Sequence, residues 1–279
     1  MRKIKMKHTE WMTAISTNRT DYEFLKELKG YSIDGIELSV NEWEVWKIDW
    51  AGLAENAKKA GITLLSYHLP FGDRSDISCI DENARKNAVN WQKELIKKAT
   101  DIGIKRFVIH PSYEPIGDEE RAFRLNLACE GLKELAVYAD SLGAVICVED
   151  LPRSCLGHNV TEMLELVNAD ERLRVCFDVN HLLAVYGCTH KDFVNALGDK
   201  IVTCHMSDYD FVDEKHFFCG NGQINWDELI GLLEGIGYCG PFLYEGGFAP
   251  HRVFKDVPFG TFDQARERQL NIRSFKGKQ

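Results

Sequence analysis

Short apolar strands alternate with amphipathic helices along almost the whole chain, and this alternation constrains the fold more than any other feature. Eight strand-then-helix units follow one another at a spacing of roughly thirty residues, without a linker or an internal repeat beyond that rhythm. The total of 279 residues is the length of one closed barrel of such units. The pattern therefore predicts an α/β protein with a single (β/α)8 barrel as one domain over residues 1–279.

The bounds of each unit follow from the periodicity of its apolar residues. The predicted strands are Trp11–Ser16, Gly35–Val40, Thr63–Leu69, Arg106–His110, Val145–Glu149, the first part of Leu173–His181, Ile201–His205 and Phe242–Glu245. The predicted helices are Tyr22–Lys29, Leu53–Lys59, Asn83–Ile102, a helix around Leu125–Ala136, Thr161–Val167, Lys191–Leu197, Trp226–Glu234 and a closing helix near Phe262–Phe275.

Six consecutive strands, from the third to the eighth, end in a side chain that can bind a metal or move a proton. These residues are His68, His110, Glu149, Asp178, His205 and Glu245. Along the clear strands one face is bulky and apolar, whereas the other face, which leads to the terminal group, is small or polar. Because the carboxyl ends of parallel strands meet at one end of a barrel, here called the mouth, we expect the six side chains to lie together there.

Four of these residues form a plausible ligand set for one divalent cation. Glu149, Asp178, His205 and Glu245 supply three carboxylates and one imidazole, which suits Mn²⁺ best, with Mg²⁺, Zn²⁺ and Co²⁺ also compatible. Without a cation, three buried carboxylates would repel one another and their pKa values would rise. We therefore expect one bound divalent metal.

The chain resembles the xylose isomerase-like TIM-barrel superfamily, which contains sugar isomerases and epimerases and also endonuclease IV. The segments that carry the resemblance are Tyr67–Phe71, Val148–Asp150, Phe177–His181, Cys204–Asp208, Gly220–Trp226 and Tyr244–Gly246. The resemblance implies that Glu149, Asp178, His205 and Glu245 hold the metal. It further implies that Glu149 and Glu245 exchange a proton next to a ketose carbonyl, and that His181 contacts a substrate oxygen.

This chemistry makes the leading expectation a metal-dependent isomerase or epimerase of a ketose, a polyol ketone or a sugar phosphate. A metal on the substrate oxygens stabilises an enediolate, and two carboxylates on opposite faces act as base and acid. His68, His110 and His181 are the expected substrate-binding residues, although a core or loop role for each stays open.

Two departures from the sugar 3-epimerases keep other functions open. The segment Ser207–Asp210 replaces the Glu-x-x-Arg segment of the tagatose-type enzymes and is nearer to the inosose isomerases and dehydratases. In addition, Glu214 and His216 match ligand types that endonuclease IV uses for extra zinc ions, so an additional metal site and an abasic-site nuclease are alternatives.

Charge and composition favour a small-molecule partner. The chain has 43 acidic and 34 basic residues, and this balance offers little to a phosphate backbone, so a nucleic-acid partner is disfavoured. We also expect a negative mouth from the acidic residues in the loops after the strands, which are Asp73, Asp76, Glu114, Asp118, Asp150, Asp208, Asp210 and Asp213.

The sequence also bears on the cellular location and the oligomeric state of the protein. No apolar run of signal-peptide or membrane-span length is present, and the nine cysteines form no Cys-x-x-Cys pair, which is typical of reduced cysteines in a cytoplasmic protein without a membrane partner. A homo-oligomer is compatible with the sequence.

Two loop features have alternative interpretations. The segment Gly220–Gly222 could form a backbone nest for a sugar phosphate or simply a turn before the next helix. Trp43, Trp46 and Trp50 could stack on a sugar at the mouth, but their spacing favours a packed helix face.

Overall fold

Eight parallel strands close into one barrel, which confirms the predicted (β/α)8 fold. The structure is a computed structural model that describes residues 11–31, 33–217 and 219–246. Strands pair in sequence order from β1 to β8, and β1 also pairs with β8, so that the sheet has no free edge. Helices follow the strands and cover the outside of the barrel, as in other barrels of this class.

The observed bounds lie within a few residues of those predicted, except at the start of the fourth helix. The strands are β1 Thr13–Thr17, β2 Gly35–Ser39, β3 Thr63–His68, β4 Arg106–Ile109, β5 Val145–Glu149, β6 Arg174–Asp178, β7 Ile201–Met206 and β8 Phe242–Tyr244. The helices are α1 Tyr22–Gly30, α2 Trp50–Ala60, α3 Glu82–Asp101, α4 Asp118–Ser141, α5 Val160–Asn168, α6 His190–Leu197 and α7 Trp226–Gly235. The closing helix predicted near Phe262–Phe275 lies outside the described residues.

Capping side chains fix where most of the helices begin. The carboxylate of Asp21 accepts the backbone N–H of Phe24 at the start of α1, and Asp81 does the same for Ala84 at the start of α3. At the C-terminal end of α2, Gly61 adopts a left-handed φ of 68°, which ends the helix without the steric cost of a side chain. Helix α4 begins at Asp118, earlier than its apolar stripe, because its first turn is polar and acidic.

The strands separate an outer apolar layer from a polar interior. Outward-facing Phe177 of β6 is fully buried and stacks on Phe193 of α6 with ring centroids 4.5 Å apart. On the inner face, Val108, Cys147 and Cys176 form a separate small apolar cluster below the strand ends. This arrangement confirms the predicted two-faced strands, and it directs the terminal His, Asp and Glu side chains to the mouth.

The tryptophan prediction was partly wrong. Trp46 is 79% exposed and Trp43 is 62% exposed, because they lie in a short 3₁₀ helix, Val45–Lys47, and in the turn before it rather than on a packed helix face. Trp50, at the start of α2, does pack inward, edge-on against Tyr67 at 5.4 Å.

The cysteine prediction is consistent with the structure. All nine cysteines are free thiols, and five of them are buried. No helix in the described ranges combines the length and the apolar character needed to cross a membrane.

Candidate metal centre

The direction and register of the strands bring the predicted ligands to the same end of the barrel. Asp178 at the end of β6 is paired with His205 of β7, and Glu149 at the end of β5 is paired with Cys176 one layer lower. Glu149, Asp178 and His205 are all buried, and the side chain of Glu245, which follows β8, is 20% exposed. We call Glu149, Asp178, His205 and Glu245 the primary cluster.

One imidazole nitrogen faces all three carboxylates of the primary cluster. The Nδ1 atom of His205 lies 2.9 Å from Oε1 of Glu149, 3.3 Å from Oε2 of Glu245 and 3.8 Å from Oδ2 of Asp178. Donor atoms bound to one ion by bonds of about 2.1 Å lie about 3 Å or more from one another. Donor atoms of Glu149, His205 and Glu245 lie within 4.8 Å of one another, as one ion would require, and His68 completes that group. Asp178 comes equally close to His216 and Glu245, and to Glu149 and His181, so it would have to move toward the other three ligands to share their ion.

Two carboxylate oxygens of the primary cluster lack the hydrogen bonds that buried polar atoms need. Oδ2 of Asp178 and Oε2 of Glu245 are buried and accept no hydrogen bond from the described residues. Burial, together with the nearby carboxylate of Glu245, raises the pKa of Asp178 to about 8. A bound cation would satisfy both oxygens and keep Asp178 ionised, so the residues present fit the metal that the sequence predicts.

Two further histidines contact the other oxygen of Glu149. Oε2 of this carboxylate lies 3.0 Å from Nε2 of His68 and 3.2 Å from Nε2 of His110. The Nδ1–H of His68 donates to the carbonyl of Leu69 at 2.9 Å, which leaves Nε2 directed at the carboxylate. Burial opposes ionisation of Glu149, but the charges of His205, His110 and His68 hold its pKa well below the usual range.

The residues considered for an additional metal form a second cluster beside the first. His181, Glu214 and His216 bring one donor atom each to within 4.8 Å of one another. Nδ1 of His181 donates to the carbonyl of Asp150 at 2.7 Å, and its Nε2 faces Asp178 at 3.4 Å and Glu214 at 3.8 Å. Nε2 of His216 lies 2.6 Å from Oε1 of Glu214. The two clusters are therefore contiguous through Asp178.

Loops anchored by Arg153 support the second cluster. The guanidinium of Arg153 pairs with Glu114 at 2.8 Å, Glu214 at 3.0 Å and Asp213 at 3.2 Å, so it ties the loop after β4 to the loop after β7. Arg153 itself has a positive φ of 52°. Sequence reasoning did not identify this residue, because nothing in its local pattern indicates three partners that are distant in sequence.

The expected negative charge of the mouth is reduced by burial and pairing. Asp150 and Asp208 are fully buried, and Asp76 is buried beside Arg124. Asp208 accepts hydrogen bonds from the backbone of Gly220 at 2.7 Å and from the indole of Trp226 at 2.8 Å. Of the residues expected to make the mouth negative, Asp76, Asp150 and Asp208 are thus enclosed within the protein rather than exposed at the mouth.

The same contacts decide between the two interpretations of the glycine-rich loop. Because the N–H of Gly220 donates to Asp208, it does not face outward as a phosphate nest would require. A side chain at Gly222 would meet Oδ1 of Asp208 at 2.3 Å, so the loop folds tightly around this carboxylate. The segment is a turn that leads into α7.

Sequence reasoning also missed Glu37 in the middle of β2. This glutamate is fully buried, accepts a hydrogen bond from Ser66 at 2.7 Å and lies 2.9 Å from Nε2 of His205. The sequence feature that could have identified Glu37 is a single ionisable residue within an otherwise apolar strand, because such a residue needs a partner inside the barrel.

Known proteins provide an independent comparison. The L-ribulose-5-phosphate 3-epimerase UlaE of Salmonella paratyphi C is 24% identical over 238 residues, which cover 80% of this chain and 81% of that protein. A probable endonuclease 4 of Finegoldia magna is 30% identical over 171 residues, which cover 56% of this chain and 60% of that protein. The crystal structure of a D-tagatose 3-epimerase-like protein superposes with a TM-score of 0.77 at 22% identity, over 95% of this chain and 99% of that chain, and so shares the fold.

A family model covers most of the chain, including the described part of the barrel from α1 onward and every residue of both clusters. The model described as xylose isomerase-like TIM barrel matches residues 25–259. This protein belongs to the xylose isomerase-like TIM-barrel family.

Proposed function

We propose that the protein is a divalent-metal-dependent isomerase or epimerase of a ketose, a polyol ketone or a sugar phosphate. The observation that carries the proposal is the convergence of three carboxylates on Nδ1 of His205 within 3.8 Å, at the mouth of the barrel. The epimerase activity named for the Salmonella relative, which matches over 80% of this chain, supports a sugar as the substrate.

Glu149, Asp178, His205 and Glu245 would hold the ion, with Mn²⁺ the expected metal. A divalent ion bound there would polarise a substrate carbonyl and its neighbouring hydroxyl, which favours loss of the proton α to the carbonyl. The donor set is mainly oxygen, as Mn²⁺ and Mg²⁺ prefer, and its single nitrogen keeps Zn²⁺ and Co²⁺ compatible.

Glu149 and Glu245 are the proposed proton carriers. They follow β5 and β8, which lie three strands apart around the barrel, so they approach the centre from different sides. One carboxylate would take the α proton from one face of the substrate, and the other would deliver a proton to the opposite face. Glu245, being 20% exposed, can exchange its proton with water between turnovers, whereas Glu149 is enclosed.

The surroundings of Glu149 suit a base that stays ionised. His68 and His110 both approach its Oε2, so they stabilise the carboxylate and shape the same side of the pocket. Phe71 stacks on the ring of His110 with centroids 4.2 Å apart and is 46% exposed, which provides an apolar surface for the C–H face of a sugar. Substrate hydroxyls would contact His110 and His181 at the edges of this pocket.

Solvent-deuterium exchange tests the proposal directly. Manganese-loaded protein in D₂O should replace the hydrogen next to the carbonyl in at least one member of a panel of ketoses, inososes and their phosphates, as measured by NMR. Glu245→Gln and Glu149→Gln should each slow exchange by about 10²-fold to 10⁴-fold. Glu162→Gln, in an ion pair with Arg121 on the outside of the barrel, is the matched control and should exchange normally.

The result also separates the alternatives within sugar chemistry. If exchange is followed by loss of water, with a new enone or diketone absorbance, the protein is an inosose dehydratase-like lyase rather than an isomerase. Absence of exchange in the whole panel, with the metal bound, would reject both enzymes.

A second candidate function, hydrolysis of a phosphodiester at an abasic site, is favoured by one specific observation. The second cluster places His181, Glu214 and His216 within reach of an additional ion next to the primary cluster, and His68 and His110 add two more imidazoles on Glu149. Adjacent ions can activate a water and stabilise the leaving oxygen of a phosphodiester. The match to the probable endonuclease 4 supports this alternative over about half of the chain.

Incision of an abasic-site duplex distinguishes the nuclease from the sugar enzyme. We expect no cutting in low salt with Zn²⁺ or Mn²⁺ supplied, because a nuclease also needs a basic groove for phosphates, and Arg153 at the mouth is already paired with three carboxylates. Metal-dependent cutting that His216→Ala abolishes and Glu162→Gln leaves intact would make the nuclease the leading function.

A further inference from the structure

We propose that Glu37 is a positioning residue of the metal centre, which holds His205 in the tautomer and orientation that present Nδ1 to the ion. The inference rests on the proposed metal centre but adds a residue from β2, which lies three strands from β7 around the barrel. Glu37 would contact neither ion nor substrate, and it would act through the histidine alone.

The two ring nitrogens of His205 face different groups. Nδ1 faces the three carboxylates of the primary cluster, the nearest of which is Glu149 at 2.9 Å. Nε2 points the other way, into the barrel, and lies 2.9 Å from Oε1 of Glu37. A ligand histidine must carry its proton on the nitrogen that does not bind the metal, so the group beside Nε2 decides whether Nδ1 is free to coordinate.

Nε2 of His205 and Oε1 of Glu37 are suited to form a hydrogen bond with each other, as donor and acceptor. Both Nε2 of His205 and Oε1 of Glu37 are buried and lack an aligned hydrogen bond to the described residues, although they are at contact distance. The carboxylate of Glu37 is itself fixed, because its Oε2 accepts the hydroxyl of Ser66 at 2.7 Å. A buried, immobilised carboxylate is a strong acceptor for an imidazole N–H, and it also makes the opposite nitrogen a better donor to a metal.

The Cys176 thiol is the competing acceptor, since it also interacts with His205. A cysteine sulfur is only a weak hydrogen-bond acceptor, although it lies close enough to His205 to interact with it. A carboxylate oxygen is a much stronger acceptor than sulfur, so Glu37, at 2.9 Å from Nε2, is the group that fixes the ring. This comparison provides one control variant, because Cys176→Ala removes the competing neighbour without touching Glu37.

Metal affinity of the full-length protein tests the role of Glu37. After removal of metal with a chelator, Mn²⁺ and Zn²⁺ affinities are measured by titration calorimetry for the parent protein and the variants. We expect Glu37→Gln, which keeps an acceptor but loses the charge, to weaken binding about 10-fold, and Glu37→Leu to weaken it about 100-fold. Cys176→Ala and Glu42→Gln, a second buried glutamate that pairs with Ser75, should change affinity less than about threefold.

A spectroscopic measurement separates positioning from a general loss of structure. In the zinc-loaded protein with ¹⁵N-labelled histidine, long-range NMR correlations should show His205 protonated at Nε2 only, with a proton shifted far downfield by the carboxylate. In Glu37→Gln, which is nearly isosteric and should fold normally, that proton should move upfield while the other histidine signals stay in place.

Unchanged affinity together with an unchanged Nε2 proton in Glu37→Gln would overturn the positioning role and leave the metal centre intact. A uniform loss of affinity in Glu37→Gln, Cys176→Ala and Glu42→Gln would also overturn it, because the effect would then be structural. If the parent protein bound neither ion, the proposed metal centre would itself fail, and the role of Glu37 would fail with it.

Discussion

Binding of the first metal ion should release protons, and their number follows from the structure. Burial and Glu245 raise the pKa of Asp178 to about 8, so this carboxyl carries a proton at neutral pH when no metal is bound. Burial acts to lower the pKa of His205, but Cys176 first, and then Glu245, Glu149 and Glu37, hold it well above the usual range, so this imidazole is also charged. An ion can use both groups only after each loses its proton.

The expected magnitude at pH 7 is about two protons released per ion bound, one from Asp178 and one from His205. Glu149 and Glu245 contribute none, because nearby histidines, His205 foremost, hold their pKa values low despite burial. The proton on Asp178 alone competes with the ion by about 1.4 kcal/mol at pH 7. Affinity should therefore fall about 100-fold from pH 7 to pH 6, and less steeply above pH 8, where Asp178 is already ionised.

Calorimetric titration in two buffers with different ionisation enthalpies measures the proton count. Asp178→Asn should reduce the count to about one and weaken binding without unfolding the barrel. Asp76→Asn, at a buried aspartate that pairs with Arg124 away from the cluster, is the control and should leave the count unchanged. Binding that releases no proton and is independent of pH would refute the reasoning about Asp178 and His205.

Three further predictions concern stability. Asp208→Ala should lower the free energy of unfolding by about 3 kcal/mol and expose the loop after β7 to protease, because several donors converge on this carboxylate; an unchanged thermal midpoint would contradict this. Glu162→Gln should cost about 2 kcal/mol at pH 7, measured by urea denaturation. Although burial acts to raise the pKa of Glu162, Arg121 lowers it below its value in the unfolded chain. The loss of stability caused by Glu162→Gln should therefore shrink as the pH falls below the unfolded-state pKa and through the folded-state pKa. A loss that stays constant down to pH 3 would exclude the ion pair as its cause. Gly72→Ala should destabilise the protein by about 1–3 kcal/mol in the same assay. The backbone φ at Gly72 is 144°, and the new Cβ would lie 2.5 Å from the carboxylate carbon of Glu42. The control Gly30→Ala should destabilise the protein less, because a Cβ there would meet no atom within 4 Å.

The strands and the strand-end residues were predictable because they obey local rules. Alternation along β5 and β6 indicated which side chains face inward, and the parallel arrangement then placed Glu149 and Asp178 at one end. The pairing of Asp178 with His205 in the observed register is a direct consequence of strand order. The alternation of side chains along each strand and the closure of the parallel sheet therefore suffice to bring these groups together.

The remaining contacts depend on groups that sequence periodicity cannot relate. Glu37 and His205 are 168 positions apart, and they meet only because β2 and β7, three strands apart in the closed sheet, both direct these side chains into the barrel interior. The exposure of Trp46 likewise depends on a turn and a short 3₁₀ helix, to which the residue spacing of an α-helix does not apply. Burial of Asp208 could not be inferred from its loop, since its partners lie in the turn that folds back over it.

The four members of the primary cluster come from β5, β6, β7 and the residue after β8, and this order has a consequence for how the protein matures. The fourth member, Glu245, reaches its place only when β8 inserts between β7 and β1 and closes the sheet. A chain still emerging from the ribosome, or a refolding chain with an open sheet, would offer at most three of the four donors. Full-affinity capture of the ion would thus follow closure of the barrel, and the bound ion would in turn hold the end of β8 against β5, β6 and β7.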